Sequence, residues 1–446
     1  MVTTESEPRL QALRAFLTDL GQSLQADFSL KLWDGSHVPL GPGARDDLSI
    51  AINSPRAITR LLRRPRLSTL IDLSAEGLIT IEGGTLLDIA ARRGGATKGT
   101  LRKVDKMRAV KGLAPFLFGS AGAGATNAYD KAQTAKFDAG RDDKALVQFH
   151  YDLSNAFYAL FLDPEMVYSC AYFPDWEAGI EEAQQAKLEM ICRKLRLRPG
   201  ERFLDIGCGW GGLVCHAARH HGVEAHGVTL SQAQFDFAQA KIRRLGLEGR
   251  VTIELKDFRE LTGTFDKIAS IGMFEHVGLA NRDAYYRQMR DLLRPRGLLL
   301  HHAITRPAKK STRAFRRKRP EYAAIVNYIF PGSELDHIGD TVTSLERNGF
   351  EVHDVEAWRE HYARTTRLWC ERLHAAREAA EAEVGPGKLR LWLLYLAGVS
   401  LGFERGTIGI YQSLASRRAR GLSGLPPTRA DLYEDGPAPR EAPAGA

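Results

Sequence analysis

The run Phe203-Leu204-Asp205-Ile206-Gly207-Cys208-Gly209-Trp210-Gly211-Gly212 constrains the fold of this chain more than any other stretch. A short apolar segment passes directly into a glycine-dense turn, and a helix is expected to open behind it. Glycine has no Cβ, so such a turn lets backbone N–H groups come close to a bound small molecule. A lone G-x-G is weak evidence; its strand–turn–helix setting gives it weight. Downstream, strands are expected at 224–229, 251–255, 265–271 and 298–304, separated by helices at 232–245 and 282–293. This alternation predicts a parallel sheet covered on both faces, with ligands held at the carboxyl ends of its strands. The expected fold class is α/β with a Rossmann-like sheet, preceded by a small α+β domain.

That first domain is read from residues 1–118. Leu10, Leu13, Phe16, Leu17 and Leu20 fall on one helical face, and residues 28–33 alternate like a strand. Ser54 is placed to cap a helix that starts at Pro55 and stops before Pro65, with Arg56, Arg60, Arg63 and Arg64 on it; residues 78–81 read as a further strand. The arginines suit a solvated face, and nothing in this domain suggests chemistry. Residues 119–130 have the composition of a flexible linker, residues 131–420 form the second domain, and the tail 421–446, rich in Pro, Ala and Arg, reads as disordered. The net charge of +8 permits an anionic partner, nucleic acid or an anionic membrane surface. Five scattered cysteines with no metal spacing point to reduced thiols in a cytosol and to no metal site. The most apolar late stretch, residues 391–403, is shorter than the about 20 residues a bilayer span needs. The expected location is therefore cytoplasmic, with any membrane contact peripheral.

Three stations follow the glycine turn in order. Asp205 and Gly207, Gly209 and Gly211 occupy the first strand end. The second strand end lacks the acidic residue that many nucleotide folds use for ribose hydroxyls, and carries Gly227-Val228-Thr229-Leu230-Ser231-Gln232-Ala233-Gln234 instead. Thr229 and Gln234 supply the same hydrogen bonds without charge. Asp257 and Phe258, behind the third strand, pair an acceptor for an adenine amine with an aromatic wall. A cationic cofactor needs this kind of slot and no phosphate cradle. The stations together read as a site for S-adenosylmethionine (SAM).

Four further segments carry the chemistry: residues 149–155 continuing to Tyr168-Ser169-Cys170-Ala171-Tyr172-Phe173; Met273-Phe274-Glu275-His276-Val277-Gly278; Leu300-His301-His302-Ala303-Ile304; and His361-Tyr362. With the glycine turn and the Thr229–Gln234 stretch, they resemble the cyclopropane fatty acid synthase family from about residue 149 to residue 412. The resemblance implies a class I SAM methyltransferase sheet with a helical lid, acting on the cis double bond of a phospholipid acyl chain. It implies Tyr168 and Ser169 at the cofactor. It also implies a bicarbonate ion held by Cys170, Glu275, His302, Ile304 through its backbone, and Tyr362. The implied partners are an unsaturated phospholipid and the anionic inner leaflet, with no nucleic acid; a homodimer is compatible with it.

The residue types suit that reaction. An alkene is a weak nucleophile, so the electrophilic methyl must be held in line with it. Transfer leaves a carbocation, and a proton must depart for a ring to close. An oxyanion fixed by donors beside a carboxylate serves as base and as counter-charge. His301 and His302 are neighbours on a strand and face opposite ways, and the register favours His302. His276 reads as structural. Residues 150–152 read as part of the lid, and Tyr168, Tyr172 and Phe173 as aromatic walls or plain core. The basic run 312–319 is expected to meet headgroups, with Phe315 as an apolar anchor; Phe330-Pro331-Gly332 and residues 113–118 are further candidates. Competing readings are methyl transfer without ring closure, N-methylation of a small amine, and lipid binding without catalysis.

Overall fold

A computed structural model describes residues 6–94, 106–118, 153–317, 329–330 and 332–433. These residues divide into two compact units: the first comprises those up to 118 together with Ile329 and residues 370–398, and the second comprises the rest. The linker 119–130, residues 149–152, Lys318, Arg319 and Pro331 lie outside the described residues.

The first unit contains a four-stranded sheet of order β2-β1-β3-β4, with β1 Phe28–Lys31, β2 His37–Pro39, β3 Arg45–Ile52 and β4 Ile79–Glu82. Leu13 and Leu17 of the helix Ser6–Leu24 pack with Leu32, Val38, Ile58 and Phe116. Ser54 caps the helix Pro55–Arg63, accepting from the Arg56 amide at 3.3 Å. The second domain was expected to be continuous from 131 to 420, but residues 370–398 cluster with this first unit. One cause is visible in Arg390, whose guanidinium donates to the carbonyls of Ser74 and Ala75, both at 2.7 Å. Those carbonyls end the helix Leu67–Ala75, and the Ser74 carbonyl also accepts from the Gly77 amide at 3.0 Å.

The second unit is built on a seven-stranded sheet of order β10-β11-β9-β8-β5-β6-β7. Its strands are β5 Arg202–Ile206, β6 Glu224–Thr229, β7 Val251–Leu255, β8 Phe265–Ile271, β9 Leu293–Thr305, β10 Phe350–Ala357 and β11 Gly409–Arg417. β5 to β9 pair in parallel, while β11 runs antiparallel to both β9 and β10. Strand alternation feeds two cores: Phe203 joins Leu188, Ile191 and Val214 on one face, and Leu204 and Ile206 join Tyr285, Met289 and Leu345 on the other. The strand expected at 298–304 begins five residues earlier, at Leu293. Pro295 and Arg296 (φ 65°) disguise its start, although buried Leu293 already pairs with Phe265.

The tail expected to be disordered from 421 is ordered over 421–433. Leu432 is buried, and Asp431 receives two bonds from Arg196 at 2.8 and 3.1 Å. Arg196 stands in a left-handed turn (φ 49°) that ends the helix Ile180–Leu195. Composition hides this, because an ion pair and one buried leucine hold a segment that has no periodicity of its own. Asp431→Ala strands a largely buried guanidinium and is expected to cost about 3 kcal/mol in urea unfolding; an unchanged midpoint would show that the segment is passive.

Candidate functional site

A cleft opens at the carboxyl ends of β5, β6 and β8. The chain reverses direction across the sheet at β5, where α/β folds place their ligands. Gly207 ends β5 with φ 77°, and a Cβ there would stand 2.9 Å from Met273 Cγ. Gly209 also has positive φ, and a Cβ on it would meet no other atom within 4 Å. Both line the cleft with Tyr168, Ser169, Asp205, Thr229, Gln234, Asp257 and Phe258. Gly211 is not among the lining residues. It stands at the start of the helix Gly212–His221, where a Cβ would press on Ala238 at 3.2 Å and Ile253 at 3.3 Å, so its role is helix packing.

The polar groups in the cleft are already partly committed. Thr229 Oγ1 donates to Gln234 Oε1 at 2.7 Å, which turns the Gln234 amide nitrogen away from threonine and leaves it for a ligand. Both Asp257 oxygens accept from Arg259, at 2.9 and 2.6 Å. Burial pushes the Asp257 carboxyl up, but the Arg259 bonds outweigh it and hold the group below its usual range. Trp210 donates to Asn155 Oδ1 at 2.7 Å and packs on Tyr158, which ties the helix Asn155–Ala159 to the glycine turn.

Cys170, Glu275, His302, Ile304 and Tyr362 do not line this cleft. They lie in the packed interior, linked to one another by a few contacts. The Ile304 amide donates to Glu275 Oε1 at 2.6 Å, and the Gly272 amide donates to the His302 carbonyl at 2.8 Å. Together these fasten the turn after β8 to the end of β9. The Cys170 thiol lies 3.3 Å from the Ala171 carbonyl and 3.8 Å from that of Trp358, which also accepts from the Tyr362 amide at 3.0 Å, while the His302 ring meets the Trp358 ring edge-on at 5.2 Å. Trp358 is thus the hub of this interior, and the sequence reading overlooked it. The Tyr362 ring packs on Phe403 at 4.8 Å. His301 faces the opposite side, against Phe274 and Tyr286. Tyr172, Phe173 and Trp176 gather around His361.

The protonation states follow from this packing. Lys194 can only donate, so its 2.7 Å bond identifies Gln412 Oε1. Gln412 Nε2 therefore faces His302 Nδ1 at 3.2 Å, Nδ1 accepts, and the proton of the neutral ring sits on Nε2. Burial, then the charges of Lys187 and Lys194, push His302 well below its ordinary value and keep it neutral. Burial lifts Glu275 to about 7 against the Ile304 bond, and raises the Cys170 thiol far above its usual range. Among the described residues, His302 Nε2, Glu275 Oε2 and Trp358 Nε1 are buried without a hydrogen-bond partner. Two donors and a half-protonated carboxyl suit a small oxyanion. The Ile304 amide is spent on Glu275, so it is not free for such an anion.

Other residues escaped the sequence reading or stand differently from it. Lys187 and Met273 line the cleft, and His276, read as structural, lines it too. Phe315, expected to be an exposed anchor, is buried under Arg306 at 4.0 Å and against His337 at 5.1 Å. The short helix Thr312–Arg316, capped by Ser311, turns it inward. Among the described residues, Cys192, His216 and His221 bring ligand-type atoms within 4.8 Å of one another. Glu189 Oε2 accepts from both imidazoles, at 3.3 and 3.0 Å, so hydrogen bonding accounts for that grouping.

Comparison with known proteins adds to this geometry. The family model for mycolic acid cyclopropane synthetase matches residues 139–413. The chain is 37% identical over 421 residues, 92% of its length and 98% of the other's, to a probable fatty acid methyltransferase of Pseudomonas putida. It is 40% identical over 268 residues to the cyclopropane-fatty-acyl-phospholipid synthase of Escherichia coli, covering 60% of this chain and 66% of that one. The crystal structure of the mycolic acid cyclopropane synthase CmaA1 complexed with SAH and CTAB superposes with a TM-score of 0.59 at 34% identity, over 63% of this chain and 100% of that one.

The lifted pKa of Glu275 has a signed consequence. The folded protein keeps this proton up to about 7, whereas an unfolded glutamate releases it near 4.5. Stability is therefore lost as pH rises through that window and is level above it. Glu275→Gln keeps the acceptor for Ile304 and has no proton to lose. Relative to wild type, its unfolding free energy is expected to rise by about 3 kcal/mol between the low and high ends of the window; parallel curves would place the carboxyl in a wetter setting.

Proposed function

Because the chain belongs to the mycolic acid cyclopropane synthetase family and has the class I fold of SAM-dependent methyltransferases, we propose that it adds a methylene unit across the cis double bond of a phospholipid acyl chain, forming a cyclopropane. The observation that carries this reading is the pair of unpartnered buried groups, Glu275 Oε2 and His302 Nε2, with Glu275 on the same turn as Met273 and His276 of the cleft wall. The lipid substrate is supported by the name of the Escherichia coli relative and by the CTAB, a long-chain surfactant, in the CmaA1 crystal.

When bound, SAM supplies an electrophilic methyl, and a bicarbonate ion supplies a base and a negative charge beside the reacting carbon. The protein's part is to hold and to exclude water. Gly207 and Gly209 let the backbone approach the cofactor, and Thr229 fixes the amide of Gln234 toward it. His302 offers its Nε2 proton to the anion. Glu275, with its pKa near neutrality, offers a proton from Oε2, and Cys170 and Tyr362 complete the set of groups that would hold the ion. Methyl transfer without ring closure is the second reading, favoured by the name of the Pseudomonas putida relative, which aligns over 92% of this chain.

Expression in bacteria that lack their own synthase tests this. Gas chromatography–mass spectrometry of lipid methyl esters is expected to show a species heavier by one CH2 that resists hydrogenation. A product that takes up hydrogen would give the branched-chain reading, and no new lipid would sink both.

We assign the membrane-facing surface to the helix Lys106–Leu117 and the residue after it. No described helix is long and apolar enough to cross a bilayer. Met107, Val110 and Phe118 are nevertheless 65%, 61% and 90% exposed, beside exposed Lys111. Apolar side chains with neighbouring cations fit an anionic headgroup layer. Replacing Met107, Val110 and Phe118 together by Ser is expected to lower sedimentation with anionic liposomes by at least about tenfold; equal sedimentation would remove the assignment.

A further inference from the structure

The cleft is chemically lopsided. Thr229, Gln234, Asp257 and Phe258 line its nucleoside-like end, whereas Asp205, Ser169 and Lys187 stand near the glycine turn. Lys187 comes from the interior of the helix Ile180–Leu195 and is 2% exposed. A buried ammonium requires acceptors, yet the one hydrogen bond it makes among the described residues is to a neutral hydroxyl, Ser169 Oγ, at 2.8 Å. Asp163, Cys170 and Asp205 act on it through space. Asp163 spends both carboxylate oxygens on the Glu165 and Val167 amides, at 3.0 and 2.9 Å. Asp205 Oδ1 is itself buried without a partner. The protein therefore holds a buried ammonium and a buried carboxyl, which burial lifts to about 7, beside the same cavity, each short of a partner.

A ligand with an ammonium and a carboxylate on one carbon satisfies both. We propose that Lys187 binds the carboxylate of the cofactor's methionine end, directly and through the Ser169 hydroxyl that it polarises, while Asp205 faces the ammonium. An ammonium has three donors, and Ser169 takes one, leaving two for the carboxylate. Ser169, accepting from Lys187, turns its own proton to the ligand. Lysine suits this position because its charge is compact and its reach from the helix is long. The proposal rests on the SAM assignment and deepens it, giving the amino-acid end of the cofactor its own charge-matched subsite.

The test is calorimetric binding of S-adenosylhomocysteine (SAH) and of S-adenosyl-3-thiopropylamine, the same molecule without its carboxylate. Lys187→Met is expected to weaken SAH by at least about tenfold and the amine by no more than about twofold, with Lys187→Arg recovering part of the loss. Unchanged SAH affinity, or equal losses for both ligands, would overturn the proposal. If the methionine variant does not fold, wild type decides. Burial pushes Lys187 down to about 8, so the preference for SAH over the amine is expected to shrink as pH rises from about 7 to about 9. Asp205, which burial lifts to about 7, also gains charge near the start of this range and would repel the carboxylate that SAH alone carries. The same series is therefore run on Lys187→Arg, where the preference is expected to shrink less because a guanidinium stays charged. An equal decline in both proteins overturns the assignment. A preference that stays constant across that range overturns the assignment. A wild type that binds neither molecule overturns the SAM assignment, and this proposal with it.

Discussion

The bond from the Ile304 amide to Glu275 Oε1 is the constraint on which the rest of the site depends. It joins the turn after β8 to the end of β9 and fixes the carboxyl group by one oxygen only. The other oxygen is left in a dry interior, where an unpaired charge is costly. The group responds by holding its proton to near neutrality. The same turn carries Met273 and His276 to the cleft wall. Moving it would thus disturb the cofactor side and the interior side together.

Behind this bond runs a polar line across the sheet. Glu356 pairs with Lys194, Lys194 donates to Gln412, and Gln412 donates to His302. Each member fixes the orientation of the next, because ammonium only donates and amide does both. The line ends at a ring nitrogen whose proton has no taker among the described residues. A polar chain that is exposed only at Glu356 and has one open end in the interior is expensive in stability, and fits a site that completes itself with a ligand.

Much of the second unit was legible, for a physical reason. β5 to β8, the glycine turn and the stations at Thr229, Gln234 and Asp257 are local patterns, written in apolar runs and strand-end residues. The resemblance named Glu275 and the Ile304 backbone as two ligands of one ion, and did not reveal that the amide donates to the carboxyl itself. What stayed hidden is non-local. Lys187 sits in Gln-Gln-Ala-Lys, a polar string that reads as a solvent face until the fold buries it. Trp358 and Gln412 matter only because β9, β10 and β11 are neighbours, a fact that no window of sequence contains. Gly211 looked like a cofactor residue because it shares a motif with Gly207, yet the atoms it must avoid belong to Ala238 and Ile253. Phe315 misled in the opposite way: basic neighbours made an apolar ring look like an anchor, while Arg306 and His337 enclose it.

The interleaving of the two units bears on how the polypeptide is made. The helix Leu67–Ala75 is finished by a guanidinium that lies more than three hundred positions downstream, at Arg390. As the ribosome delivers the chain from its amino terminus, the first unit must wait for nearly the whole message before its last pieces arrive. The second unit has no such freedom either, since the strand β11 follows that excursion. Neither half can therefore be cut out as one uninterrupted stretch of gene.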